Sequence, residues 1–224
     1  MKNTNLSTRR KMALVTGFSL VAMALIAGFA YGYAFQSIYV AGDGTATLMN
    51  LNNSKLLLRL VIFSFVVILI LDVVIAWALY FFFKQVNEPL SLLCAWLRLI
   101  GAAFLGVALL NLSVVLQLLN NIPQNEALIM NSLRTFLDVW SLGLMVFAFH
   151  LFLLGRLILN SGYIPKVLGI LTLIASVCYL LSNMAHLLLS NYDQYKGTVD
   201  MVLSLPMALG ELGIAIWLMF KGAR

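Results

Sequence analysis

The sequence predicts an all-α polytopic membrane protein: a bundle of six transmembrane helices with a short helix on the outer surface. Two observations carry that prediction. Hydrophobic residues make up 62% of the 224-residue chain and charged residues 10%, against roughly 45–50% and about 25% in soluble domains. The mean hydropathy is +1.00, and the apolar residues gather into six runs, each long enough to supply the roughly 20 residues that a spanning helix needs. A soluble globular enzyme, a disordered chain and a secreted disulfide scaffold are excluded.

The runs fall at 12–35, 56–83, 90–119, 127–159, 167–189 and 201–220. Together they form one six-span domain over residues 1–224. The first begins after a basic stretch (Lys2, Arg9, Arg10, Lys11) and has small residues near Gly28 and Ala30, as a signal peptide would. Its apolar stretch exceeds the usual 7–15 residues of a signal peptide, so it is read as an uncleaved first span.

Net charge is +6. The charges sit at the ends of apolar runs, where they orient a chain in a membrane rather than bind nucleic acid. With the N-terminus in the cytoplasm, ten lysines and arginines fall in the inner half and four (Lys55, Arg59, Arg134, Lys196) in the outer half. Both termini are therefore expected inside. Cys94 and Cys178 lie within apolar runs, so no structural disulfide is expected.

The first outer loop, 36–54, is long enough to hold structure. Gly42-Asp43 reads as a turn and N-cap for a short surface helix carrying Leu48, Met49 and Leu51. The inner turns Lys84-Gln-Val-Asn-Glu-Pro89 and Asn160-Ser-Gly-Tyr-Ile-Pro165 each end in a proline that opens the next helix. Spans two and three, and four and five, are thus tight hairpins. The fourth run is too long for one bilayer, and its outer end is expected to project beyond the lipid with Arg134 and Asp138 paired one turn apart. The outer loop 190–200 places Tyr192 and Tyr195 at the interface.

Ionisable side chains within spans are costly and turn to the bundle interior or a cavity. By a rise of about 1.5 Å per residue, Asp72 lies roughly 18 Å, Arg98 about 12 Å and His150 about 15 Å above the inner boundary. Glu211 falls near the middle of span six. Asp72 and Arg98, on adjacent arms of one hairpin, are expected to pair. The pair either fixes helix register or forms the floor of a polar pocket with His150 and Glu211 as walls. Glu211 lies on a stripe of small residues, Ser204, Ala208 and Ala215, one turn from Pro206. That stripe implies close helix packing and an inward carboxyl. In span five, Gly169, Thr172, Ser176, Tyr179, Asn183 and His186 follow steps of three and four and share one face. Such a polar seam joins helices or lines a wet cavity.

His150 and His186 stand about 15 Å apart in depth, too far to share one metal. Neither a metal nor another cofactor is expected, and no GxSxG, HExxH or P-loop pattern occurs. Whether the chain is an enzyme stays open. The leading reading is a pocket for a lipid, a small amphiphile or a partner helix. A lipid-acting intramembrane enzyme and a small proton-coupled transporter are the alternatives. Membrane lipids are the expected partners, with a second copy or another membrane protein possible.

Several stretches resemble a bacterial membrane family known as domain of unknown function 4386. They are Val40-Ala-Gly-Asp43 with the helix after it, Asp72-Val-Val-Ile-Ala-Trp-Ala-Leu-Tyr80, Val86-Asn87, Trp96-Leu-Arg98, Phe149-His150-Leu-Phe-Leu-Leu-Gly155, Ser161-Gly-Tyr-Ile-Pro165, Leu168-Gly169 and Gly210-Glu211. They run in order over most of the chain. Lys166 stands where the family pattern has arginine after the proline, which keeps the charge. The resemblance implies a six-span inner-membrane protein. It adds weight to Asp72, Arg98, His150 and Glu211 and says little about activity.

Overall fold

The computed structural model describes residues 2–189 and 196–222. The loop residues Tyr192 and Tyr195 lie outside that set. Among the described residues all regular structure is helical. The first span is helix α1 (Lys2–Ala27), continued by a π-helical segment (Gly28–Phe35) and the short α2 (Gln36–Ile38). The helix α3 (Gly44–Asn53) lies in the loop after it. The remaining spans are α4 (Lys55–Phe83), α5 (Glu88–Leu118), α6 (Ile122–Ser161), α7 (Lys166–Leu188) and α8 (Lys196–Lys221). Six helices are long and apolar enough to cross a membrane, and the spans within them, Thr8–Ile38, Lys55–Phe83, Glu88–Leu118, Asn125–Ser161, Lys166–Leu188 and Val202–Lys221, end within about four residues of the hydropathy limits.

Caps and turns account for the helix ends. Gly42 takes φ 79°, a left-handed conformation that suits a residue without Cβ. The Asp43 carboxylate then accepts a hydrogen bond from the Ala46 N–H at 2.9 Å and starts α3. Thr47 ties the turn together, its hydroxyl accepting from the Val40 N–H at 3.0 Å and donating to the Asp43 carbonyl at 2.8 Å. At the other end of the bundle Asn87 caps α5 by accepting from the Leu90 N–H, with Pro89 in the first turn. Gly162 closes the second inner turn at φ 72°.

The spans pack in chain order, α4 on α5, α5 on α6, α6 on α7 and α7 on α8, and α1 packs on both α4 and α8. The six helices therefore close into a ring. Its outer face is apolar: Phe18, Phe63, Trp77, Trp96, Phe149 and Phe220 are all exposed, as a lipid-facing surface requires. Two apolar clusters fill the interior. One, at the end that carries α3, includes Phe35, Phe65, Leu112 and Phe136. The other, at the end of the turns 84–87 and 162–165, includes Ala13, Phe82, Phe83, Leu154 and Leu218.

The overlong α6 is a continuous helix of 40 residues, about 60 Å at 1.5 Å per residue. Its first turns do not stand alone. Ile129, Leu133 and Phe136 are fully buried in the cluster that also takes in Leu48 and Leu51 of α3, so the surface helix covers the overhang. The expected Arg134–Asp138 pairing is not what the fold uses. Asp138 instead bonds His186 Nε2 of α7 at 3.1 Å. An exposed pair within one helix gains little, whereas this contact ties two helices together.

Candidate functional site

A polar layer separates the two apolar clusters, and all six spans supply it. Asp72 of α4 pairs with Arg98 of α5, Oδ1 to NH2 at 2.8 Å. Arg98 is buried, with 1% of its side chain exposed against 13% for Asp72. The same guanidinium meets His150 of α6 through NH1 at 3.2 Å and the Met23 sulfur of α1 through NH2 at 3.5 Å. It lies 5.1 Å from the ring centre of Phe147, within reach of a cation–π attraction. Tyr179 of α7 donates its hydroxyl to the Glu211 carboxylate of α8 at 2.8 Å.

The hydrogen bonds fix the state of His150. Its Nδ1 lies 2.8 Å from the Cys94 carbonyl, and a carbonyl only accepts, so Nδ1 carries the proton. A guanidinium only donates, so Nε2 is the lone-pair acceptor for Arg98 and the imidazole is neutral. Cys94 Sγ stands 3.2 Å from Nδ1 and donates to the His150 carbonyl at 3.6 Å. Thiol and imidazole are thus close, but the facing nitrogen is protonated and cannot act as a base. Both residues are buried, and neither lines the large cavity described next. That geometry does not activate a nucleophile. Among the described residues no group of three or more His, Cys, Asp or Glu side chains could hold a metal.

A cavity of about 340 Å³ opens above the layer toward the α3 end. Asp72, Phe147, Tyr179 and Glu211 form its polar end, while Phe65, Leu105, Trp140 and Leu144 form its apolar walls. A second space of about 370 Å³ adjoins it, sharing Ala27, Trp140, Tyr179 and Ser204, and reaches Asn183 and His186. A void of about 10 Å³ lies on the other side of Glu211, lined by Arg98, Glu211 and Thr172. It is about one water in size. The buried Arg98 Nε has no hydrogen-bond partner.

The helix that carries Glu211 shapes the cavity. Near the turn-bearing end α8 lies tight on α1, where a Cβ on Gly17 would meet the Ala215 carbonyl at 2.9 Å. Toward α3 the two part, since the π-helical segment packs on α4. Ala24 of α1 and Ser204 and Ala208 of α8 line the cavity and are nonetheless exposed. These three small residues carry surface that the packing of α1 on α8 leaves uncovered. The small-residue stripe on α8 thus does two things: Ala215 packs closely, while Ser204 and Ala208 leave space. Pro206, between them, lacks the N–H that would reach the Val202 carbonyl, yet α8 runs on through it.

The seam of span five divides in a similar way. Thr172 donates to the Leu168 carbonyl of its own helix at 2.8 Å. Ser176 is buried. Ser141 of α6 donates to the Asn183 side-chain oxygen at 2.9 Å, and Tyr179 reaches α8. The seam therefore joins α7 to both neighbours and also borders cavity space at Tyr179 and Asn183. His186 lies away from His150, at the rim with Asp138. Sequence reasoning passed over Met23, Phe147 and Trp140. Apolar residues in an apolar run carry no local mark that they face a charge.

Residues 15–222 match the family described as Domain of unknown function (DUF4386). The chain belongs to this family. The match spans all six helices and every residue of the polar layer. An uncharacterised protein of the archaeon Archaeoglobus fulgidus is similar, 33% identical over 157 residues that cover 70% of this chain and 80% of the relative. No solved structure matches.

Proposed function

We propose that this six-span member of the domain of unknown function 4386 family binds a lipid or small amphiphile inside the membrane. The observation that carries the reading is the cavity of about 340 Å³ within the ring, polar at the Asp72–Glu211 level and apolar toward α3. Its size falls within the range of about 300–1,000 Å³ typical of small-molecule sites, and its two-ended lining matches a molecule with a polar head and an apolar tail. Ala24, Ser204 and Ala208 are exposed small residues of the lining, so a ligand would enter between α1 and α8 from the bilayer without crossing water. Asp72, held from behind by Arg98, forms the floor, with Glu211 and Tyr179 as the hydrogen-bonding wall. His150 serves behind them, holding the guanidinium in place.

The basic residues at the turn-bearing end favour an orientation with both termini in the cytoplasm. The membrane is then the cytoplasmic membrane of a prokaryotic cell.

Trp140 lines the cavity, whereas Trp77 faces lipid. Two single-tryptophan proteins in nanodiscs, one retaining Trp140 and the other Trp77, test the proposal. Titration with the neutral amphiphile 11-bromoundecan-1-ol should quench Trp140 with saturation and Trp77 only in proportion to the concentration in the bilayer. Linear quenching of both would overturn it.

A further inference from the structure

The charge balance of the layer points to the chemistry of the ligand. Two carboxylates, Asp72 and Glu211, face the large cavity. One cation, Arg98, stands behind Asp72 and lines the small void rather than the large cavity. His150 is neutral by its hydrogen bonds. With both carboxylates ionised, the site therefore carries one negative charge in excess, in a medium where an unmatched charge is costly. The rings of Phe147 and Tyr179 line the same polar end, and ring faces attract cations.

We propose that the cavity is a site for a lipophilic cation, which replaces a proton on Glu211. The inference rests on the amphiphile-binding reading above and names the charge of the head group. When the cation is absent, a proton on Glu211 makes the layer neutral. When it enters, its charge takes the place of that proton and its apolar part lies against Phe65 and Trp140. The exchange releases one proton for each cation bound and forms no covalent bond.

The groups facing Glu211 fit this exchange. From α7 the facing titratable group is Tyr179, a hydrogen-bond donor to the carboxylate. The α1 wall of the cavity offers Leu20, Met23, Ala24 and Ala27, none of them charged. Across the ring stand Asp72 of α4, Arg98 of α5 and the neutral His150 of α6. Arg98 is already committed to Asp72, so one guanidinium balances one of the two carboxylates. The His186–Asp138 pair lies at the rim of the adjoining space.

The test uses the full chain in nanodiscs, with Trp140 as the reporter and two brominated probes of equal chain length. One is 11-bromoundecyltrimethylammonium, the other the neutral 11-bromoundecan-1-ol. The cation should bind at least about tenfold more tightly than the alcohol at pH 8, by attraction to a charge in a low-dielectric site. Lowering the pH to 5 should weaken the cation and leave the alcohol unchanged, because protons compete only with the charged ligand. Glu211→Gln, close in shape and able to keep the Tyr179 bond, should abolish the cation's advantage and its pH dependence together. The pH comparison on the unsubstituted carboxylate stands even if that variant fails to fold.

Saturable alcohol binding with no advantage for the cation would overturn this inference and leave the amphiphile site standing. A cation preference that is flat from pH 5 to 8, or that survives Glu211→Gln, would overturn the exchange at Glu211. Failure of both probes to saturate would overturn both proposals.

Discussion

At the scale of single residues the bundle is organised by one guanidinium. Arg98 makes its ion pair, its imidazole contact and its sulfur contact from a position 1% exposed. Replacing it by methionine leaves Asp72 as a buried charge without its partner, which typically costs about 3–5 kcal/mol. Asp72→Asn together with Arg98→Met should recover much of that loss, because neither charge then remains. Thermal unfolding in detergent of the single and double variants checks the ordering, and a double variant no more stable than Arg98→Met would refute it. A second residue-scale test lies at the turn-bearing end, where the Arg9 guanidinium sits 3.5 Å from the ring centre of Tyr163 and 5.2 Å from that of Phe82. Burial pushes the Tyr163 phenol above its ordinary pKa, against the opposing pull of Arg9, and the hydroxyl has no hydrogen-bond partner. Tyr163→Phe should therefore change stability by no more than about 0.5 kcal/mol. Tyr163→Ala should cost about 1 kcal/mol or more, since the cation then loses its ring.

At the scale of elements, the ring depends on how α8 is fastened at one end and parted from α1 at the other. Arg10 fastens it, donating from NH1 to the carbonyls of Leu218 and Gly222 at 3.1 and 3.0 Å and from NH2 to that of Met219 at 2.7 Å. These are the carbonyls a helix C-terminus leaves without partners, and a cation there also meets the negative end of the helix dipole. Arg10→Ala should free the last turn at a cost of about 1–2 kcal/mol. Hydrogen exchange should then quicken over residues 218–222 and stay unchanged in α5. The close crossing of α5 and α6 is the second fastening. A Cβ on Gly143 would lie 2.7 Å from that of Phe104 and 3.2 Å from the Gly101 carbonyl. Gly143→Val must push two packed helices apart next to the cavity, and overpacking of this kind costs about 1–3 kcal/mol. The lowered unfolding temperature should come with weaker amphiphile binding, whereas Gly28→Val, at a position with open space, should spare the α5–α6 crossing.

At the scale of the whole molecule, an apolar outer face surrounds a polar interior layer, the reverse of a soluble bundle. The arrangement predicts a topology. Single cysteines introduced at Asp43 and at Gly162 lie at opposite ends of the bundle. A membrane-impermeant maleimide applied to intact cells should label the first and reach the second only after the membrane is opened. The reverse pattern would refute the cytoplasmic placement of the termini. The free Cys94 and Cys178 are buried and should contribute little background. Much of this level was legible in the sequence. The span limits follow from runs of apolar residues, the surface helix from Gly42-Asp43, and the Asp72–Arg98 pair from similar depth on adjacent arms of one hairpin. Depth alone did not reveal that Glu211 bonds Tyr179 or that His150 serves Arg98. It also misassigned Asp138, whose partner lies across the helix interface rather than one turn away.

What the sequence by itself determined is the class of the protein: its membrane-spanning helices, its tight turns and the ionisable groups that lie in the membrane. These follow from the free energy of placing each residue in hydrocarbon, which adds up along the chain and needs no knowledge of neighbours. What only the tertiary structure decided is which of those groups meet, and that a cavity is left between them. Contacts among six helices depend on how each is rotated about its axis and where each crosses the next. In membranes those rotations are set by close packing at positions such as Gly17 and Gly143, by the π-helical turn of the first span, and by the Arg10 cap. No periodicity within a single span records them.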